Sequence, residues 1–179
     1  MPVVEPEVSC DGDHSIDECA EKSEKVFHEV FNLLFDYGVL FEGMLLKPNM
    51  IIPRLDSKNK VKPEEIAWKS VRTLTRTVPA AVPGIMFLSG GQTEFDATIN
   101  LNSMNLLKDI SIPWNLSFSF GRALQYSCLR AWVGKKENIK EAQNTLIQMA
   151  KNNSEATKGI FKSNGNNNNE EEIIEKHVY

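Results

Sequence analysis

Cysteine, histidine and long unbroken apolar runs are all scarce in this 179-residue chain. Its three cysteines, Cys10, Cys19 and Cys128, are odd in number and show no paired metal-ligand spacing. Reduced thiols are expected, rather than a disulfide framework or a zinc site. The three histidines, His14, His28 and His177, are too scattered to suggest a metal centre. No run approaches the ~18 apolar residues that a membrane-spanning helix needs. The start, Met1-Pro2-Val3-Val4-Glu5, lacks the basic opening and apolar core of a signal peptide, so a cytoplasmic protein is expected. Without secretion, the glycosylation patterns at Asn115-Leu116-Ser117 and Asn152-Asn153-Ser154 carry no weight. Positive charge is not in excess either: 20 Lys and Arg stand against 24 Asp and Glu, a formal net charge of −4. This argues against nucleic acid or an anionic membrane as the main partner, yet permits a local basic pocket for an acidic substrate. Gly134-Lys135-Lys136 lacks the upstream glycine of a phosphate-binding P-loop and reads as a basic turn between helices.

What is present is a rhythm of short apolar runs and longer segments of helical period, the pattern of an α/β protein with parallel strands. Pro2-Val3-Val4 is a strand stub, followed by the turn-rich Ser9-Cys10-Asp11-Gly12-Asp13-His14. Val26, Phe27, Val30, Phe31, Leu34 and Phe35 recur at helical spacing and predict a helix over 15–36, with Gly38 at its C-cap. Val39 to Leu46 reads as a second strand. Pro63-Glu64-Glu65 suits the first turn of a helix running to Thr77, because proline fits there and carboxylates complement the helix dipole. Gly84 to Leu88 reads as a third strand, Thr93 with Asp96 opens a helix over 93–105, and Trp114 to Phe120 is a fourth strand. Further helices are expected over 122–133 and 137–152. Residues 1–160 form the folded unit in this reading. Residues 161–179, with an Asn run followed by Glu170-Glu171-Glu172, are expected to be a low-complexity, mobile tail. The rhythm fits half of an eight-stranded barrel or a small open doubly wound sheet, and does not choose between them.

The residues at the strand ends carry chemistry. In βα-barrels the active groups stand at the C-terminal ends of several strands. Here those ends hold Glu5, Lys47, Ser89 and Arg122. For Lys47 two readings stay open on spacing alone: a stem that snorkels outward, or a partly desolvated amine able to attack a ketone. Ser89-Gly90-Gly91-Gln92 lies between a strand and a helix, where glycines let backbone N–H groups approach a phosphate; a plain structural turn has the same sequence. Gly121-Arg122 repeats the arrangement with a guanidinium suited to phosphate, or to an ordinary surface ion pair. Glu5 is an acid/base candidate or a solvated carboxylate.

Together these segments resemble one family. Val4-Glu5-Pro6-Glu7, Asp11-Gly12-Asp13-His14, Glu42-Gly43, Leu45-Leu46-Lys47-Pro48-Asn49-Met50, Phe87-Leu88-Ser89-Gly90-Gly91-Gln92, Ile99-Asn100-Leu101-Asn102 and Phe120-Gly121-Arg122-Ala123-Leu124-Gln125 follow the order and approximate spacing of class I fructose-1,6-bisphosphate aldolases. Ala131-Trp132, Gly134 to Asn138 and the terminal Tyr179 agree with it. The resemblance covers residues 3–160 and the last residue, and is specific well beyond fold analogy. It implies a (β/α)8 barrel, with this chain supplying its C-terminal half of four strands and flanking helices. It assigns Lys47 to the imine with the ketone of fructose 1,6-bisphosphate, and Glu5 to proton handling. Ser89, Gly90, Gly121 and Arg122 would hold the phosphate nearest the ketone, and Tyr179 would belong to a tail that reaches over the site. No metal or other cofactor is implied, because the iminium is itself the electron sink.

The resemblance further implies a glycolytic lyase acting on a sugar phosphate, in a family that is typically homotetrameric and has cytoskeletal partners. Three departures stand out. Family members are about twice as long, and their N-terminal half supplies an acid/base aspartate, further lysines and part of the second phosphate site. Phe120 replaces a usual tyrosine, and the Asn run at 164–169 is atypical of the tail. Two functions follow as alternatives: an aldolase represented by its second half, or an inactive half-barrel serving as a binding or interaction module.

Overall fold

A computed structural model describes residues 1–54 and 61–163. The asparagine-rich segment and Tyr179 lie outside the described residues, as do most of the expected tail and Lys58. Helix α1, Ile16–Asp36, follows the strand stub β1, Val3–Val4. Ser15 caps it: its hydroxyl accepts from the Glu18 N–H, and the Glu18 carboxylate accepts from the Ser15 N–H at 2.7 Å. Two orphan donors of the first turn are thereby satisfied. The C-terminus closes as expected at Gly38, which adopts φ +68°, while the Val39 N–H donates back to the Leu34 carbonyl. Ile16, Cys19, Ala20, Ser23, Phe27 and Phe31 form the buried stripe of this helix.

The second strand is shorter than the apolar run that predicts it. Strand β2 is Leu45–Leu46 alone, preceded by a 3-10 turn at Phe41–Gly43. There Gly43 and Met44 donate to the carbonyls of Leu40 and Phe41, so these residues turn rather than extend. Leu40 is 69% exposed, which shows that hydropathy here does not mark a sheet position. After it come α2, Pro63–Thr77, with proline in its first turn; β3, Gly84–Phe87; α3, Glu94–Asn105; and β4, Asn115–Phe118. Helices α4, Arg122–Trp132, and α5, Ile139–Ala156, complete the chain. Between them Val133 and Gly134 adopt left-handed conformations and lead into a short turn at Lys136–Asn138, the expected basic turn.

The sheet runs β1-β2-β3-β4 with every neighbouring pair parallel. Its register aligns Val4, Leu46, Ile85 and Leu116 across the strands. Leu46, Ile85, Phe87 and Leu116 are buried against the helices, which pack in the succession α1–α2–α3, with α5 lying against both α3 and α4. Alternation puts Val3, Leu45, Gly84, Met86 and Ser117 on the opposite face. That face is the less covered one: Val3 is exposed, and Leu45, Met86 and Ser117 are only partly buried. Among the described residues no second layer lies over it. Glu5 and Lys47 share its parity and stand just beyond β1 and β2.

Candidate active site

Parallel strands in sequence order bring all their C-terminal ends to one edge of the sheet. The Lys47 N–H continues the β1–β2 ladder by donating to the Val4 carbonyl at 2.8 Å, so Lys47 and Glu5 leave adjacent strands side by side. Their side chains meet: Lys47 Nζ lies 2.8 Å from Glu5 Oε1. The Lys47 side chain is 22% exposed and that of Glu5 47%, so the amine is the more enclosed partner and the carboxylate faces solvent. The Lys47 head is turned to a neighbouring strand end, and most of its side chain is covered.

The connection after β3 is tied to the same place. Leu88 donates its N–H to the Pro48 carbonyl, one residue beyond Lys47. Ser89 is buried, and Gly90 and Gly91 adopt φ +55° and +80°, conformations that side-chain-bearing residues rarely hold. A Cβ on Gly90 would stand 3.4 Å from Leu88 Cδ1, so backbone conformation, more than crowding, demands glycine there. Cys10, on the loop after β1, donates its thiol to the Gly90 carbonyl at 2.7 Å. Burial and the neighbouring Asp11 carboxylate push the Cys10 thiol up to about 11, so it remains a protonated donor at neutral pH. The Arg122 guanidinium acts on Cys10 weakly in the opposite direction. Arg122 opens α4 and is exposed, with Gly121 as the N-cap at the end of the chain leaving β4.

Three polar side chains to which spacing assigns no role hold this edge together. Asn49, buried, accepts from the Val8 N–H at 2.9 Å and donates to Ser23 Oγ at 3.2 Å and to the Met50 carbonyl at 3.1 Å. It thereby ties the loop after β1 and helix α1 to the residues following Lys47. Gln92 donates through Nε2 to the Ser89 carbonyl at 2.8 Å, and accepts at Oε1 from Asn100 Nδ2 at 2.7 Å. Asn49 and Asn100 stand beside apolar residues, in Asn49-Met50-Ile51-Ile52 and Ile99-Asn100-Leu101, and a polar residue in such a place is a signal of a buried hydrogen bond; Gln92, between Gly91 and Thr93, carries no such signal. On the far side, buried Glu94 accepts from the Ser127 N–H at 3.1 Å and from its hydroxyl, fixing α4, and so Arg122, to the start of α3.

Thus Glu5 and Lys47 are bonded directly, Ser89 and Gly90 follow the Leu88 that bonds to Pro48, and Arg122 stands beyond the last strand at the same sheet edge. Tyr179 lies outside the described residues. An amine paired with a carboxylate, next to a glycine turn and a guanidinium, is equipped to hold an anionic carbonyl compound and exchange protons with it.

Comparison with known proteins bears on the family and the fold. The family Fructose-bisphosphate aldolase class-I matches residues 1–179. Cytosolic fructose-bisphosphate aldolase 4 of Arabidopsis thaliana is 55% identical over 162 residues, which are 90% of this chain and 41% of that protein. The cytoplasmic isozyme of Spinacia oleracea is 57% identical over 161 residues, covering 90% and 44%. A crystal structure of the aldolase from Plasmodium falciparum, in complex with TRAP and a small-molecule inhibitor, superposes with a TM-score of 0.87 at 51% identity. That superposition covers 90% of this chain and 46% of that one. The chain thus spans less than half the length of these relatives, and its four-stranded parallel sheet corresponds to the C-terminal half of their (β/α)8 barrel. With identity above one half across nine-tenths of its residues, the chain belongs to the class I fructose-bisphosphate aldolase family.

Proposed function

We propose that this chain carries the Schiff-base half of a class I aldolase, serving the reversible cleavage of fructose 1,6-bisphosphate to dihydroxyacetone phosphate and glyceraldehyde 3-phosphate. The observation that carries the reading is the 2.8 Å pair of Lys47 and Glu5 at adjacent strand ends, bonded through Pro48 and Leu88 to the glycine turn. Glu5 takes a proton from the Lys47 ammonium, and the freed amine attacks the ketone carbon. The nitrogen's next proton passes to the new alkoxide, giving a neutral carbinolamine. Glu5 then returns its proton to that hydroxyl, which leaves as water while the C=N bond of the iminium forms. The positive nitrogen accepts the electron pair released when the adjacent carbon–carbon bond breaks, yielding an enamine and an aldehyde. Ser89, Gly90, Gly121 and Arg122 hold the phosphate nearest the ketone and so keep the carbonyl carbon over Lys47. The same reading gives Tyr179, in the C-terminal tail, a part in the proton transfer. The base that receives the proton of the hydroxyl beyond the breaking bond belongs to the other half of the barrel.

The names of the plant relatives support a cytoplasmic place for the protein. The same reading includes the family's homotetramer and its cytoskeletal partners. The open inner face of the sheet supports a need for the N-terminal half of the barrel to complete the site. Reduction with borohydride in the presence of dihydroxyacetone phosphate tests the assignment. Mass spectrometry should find the reduced adduct on Lys47, and the Lys47→Met variant should show none. An adduct on another lysine would overturn the assignment. If no lysine is labelled unless the N-terminal half is added, the binding-module alternative describes the chain by itself.

A further inference from the structure

The Ser89–Gly90 peptide unit is the centre of the phosphate reading, and its orientation is set from one side. Its carbonyl accepts two bonds from one residue: the Gln92 N–H at 3.1 Å and Gln92 Nε2 at 2.8 Å. A trans peptide is planar, with its C=O and N–H pointing oppositely, so fixing the carbonyl on Gln92 aims the Gly90 N–H away from Gln92. Among the described residues no acceptor takes that N–H. The Gln92 amide has only one arrangement consistent with its neighbours. Nitrogen must face the Ser89 carbonyl, and oxygen must face Asn100 Nδ2, which donates at 2.7 Å. Asn100 is 3% exposed and stands on helix α3, so the orientation is anchored in a rigid element rather than in the loop.

We propose that Gln92, locked by Asn100, is a positioning residue that aims the Gly90 N–H at the substrate phosphate. The inference rests on the assignment of Ser89 and Gly90 to phosphate binding made above. A glycine turn alone would sample several peptide orientations, since Gly90 and Gly91 have no side chains to restrict them. The Gln92–Asn100 relay removes that freedom before the ligand arrives, which spares the ligand the ordering cost.

Titration of the isotopically labelled chain with inorganic phosphate, followed by NMR, tests this. In the unmutated chain phosphate should shift the Gly90 amide resonance, and the Gln92 side-chain amide protons should exchange slowly with and without phosphate. Gln92→Met keeps the length of the side chain and adds no charge, but removes both the donor and the acceptor. It should weaken phosphate about tenfold, roughly 1.4 kcal/mol, and broaden or shift the Gly90 amide in the absence of phosphate. Because Gln92→Met strands the Asn100 amide, the double variant Gln92→Met with Asn100→Leu is the second arm. It should regain thermal stability without regaining phosphate affinity. Recovery of affinity together with stability would make Gln92 merely structural and overturn the proposal, as would fast Gln92 amide exchange in the unmutated chain. A Gly90 resonance that phosphate never moves, while Arg122 responds, would refute the phosphate assignment of Ser89 and Gly90 itself and this inference with it.

Discussion

Replacing Asn49 by alanine should destabilise the chain by about 3 kcal/mol, although Asn49 takes no part in the proposed chemistry. Its side chain makes three hydrogen bonds, to the Val8 N–H, Ser23 Oγ and the Met50 carbonyl, and the residue is 6% exposed. At ~1 kcal/mol for each bond the loss is about 3 kcal/mol. The vacated amide adds roughly half a kcal/mol at ~24 cal/mol per Å³ of unfilled space. For a chain of this size ~3 kcal/mol corresponds to a fall in thermal midpoint of roughly 6–12 °C. Urea unfolding of Asn49→Ala, Ser23→Ala and the double variant measures both the loss and the share carried by the Asn49–Ser23 bond. That coupling should be about 1 kcal/mol. A loss below ~1 kcal/mol for Asn49→Ala would refute the claim that this side chain ties the loop after β1 to the end of β2.

Other outcomes follow from the same edge of the sheet. Arg122→Ala should weaken inorganic phosphate by about 1.5–3 kcal/mol, the range for a hydrogen bond to a charged group, as read by calorimetric titration; an unchanged affinity would place the phosphate elsewhere. The Cys10 thiol, raised from 9.0 to about 11 by burial and Asp11, should alkylate at a rate that keeps climbing between these pH values, where an exposed thiol levels off. The sign for stability follows. The unfolded chain loses this proton first, so the contribution of Cys10 is intact below pH ~9 and is lost as pH rises towards ~11. Alkaline unfolding curves of the unmutated chain and Cys10→Ser should converge over that interval, and parallel curves would contradict the burial of the thiol.

How much of this was readable in the sequence depends on what each residue answers to. The helices were readable because their signals are local: Ser15 and Glu18 lie at capping-box spacing, Pro63 marks a first turn, and Gly38 supplies the positive φ that ends α1. The extent of β2 was not, because Val39, Leu40 and Phe41 are apolar for reasons outside the sheet. Leu40 is 69% exposed among the described residues, so what it faces is not encoded in its neighbours along the chain. The site has the same division. Glu5, Lys47, Ser89 and Arg122 recur at intervals of about one strand–helix unit, and a parallel sheet returns each unit to one edge, so their convergence could be inferred from spacing. The Asn49 and Gln92–Asn100 bonds could not, since they join residues of different elements by tertiary approach. Those bonds nevertheless hold the loops that follow the strand ends. Lys47 can meet Glu5 from strand geometry alone, whereas the Ser89–Gly90 peptide is held by the Gln92 N–H and side chain, and that side chain by Asn100 on α3. The residues at the strand ends of this half-barrel thus come from the strand–helix rhythm, while the buried amides of Asn49, Gln92 and Asn100 brace the loops beside them.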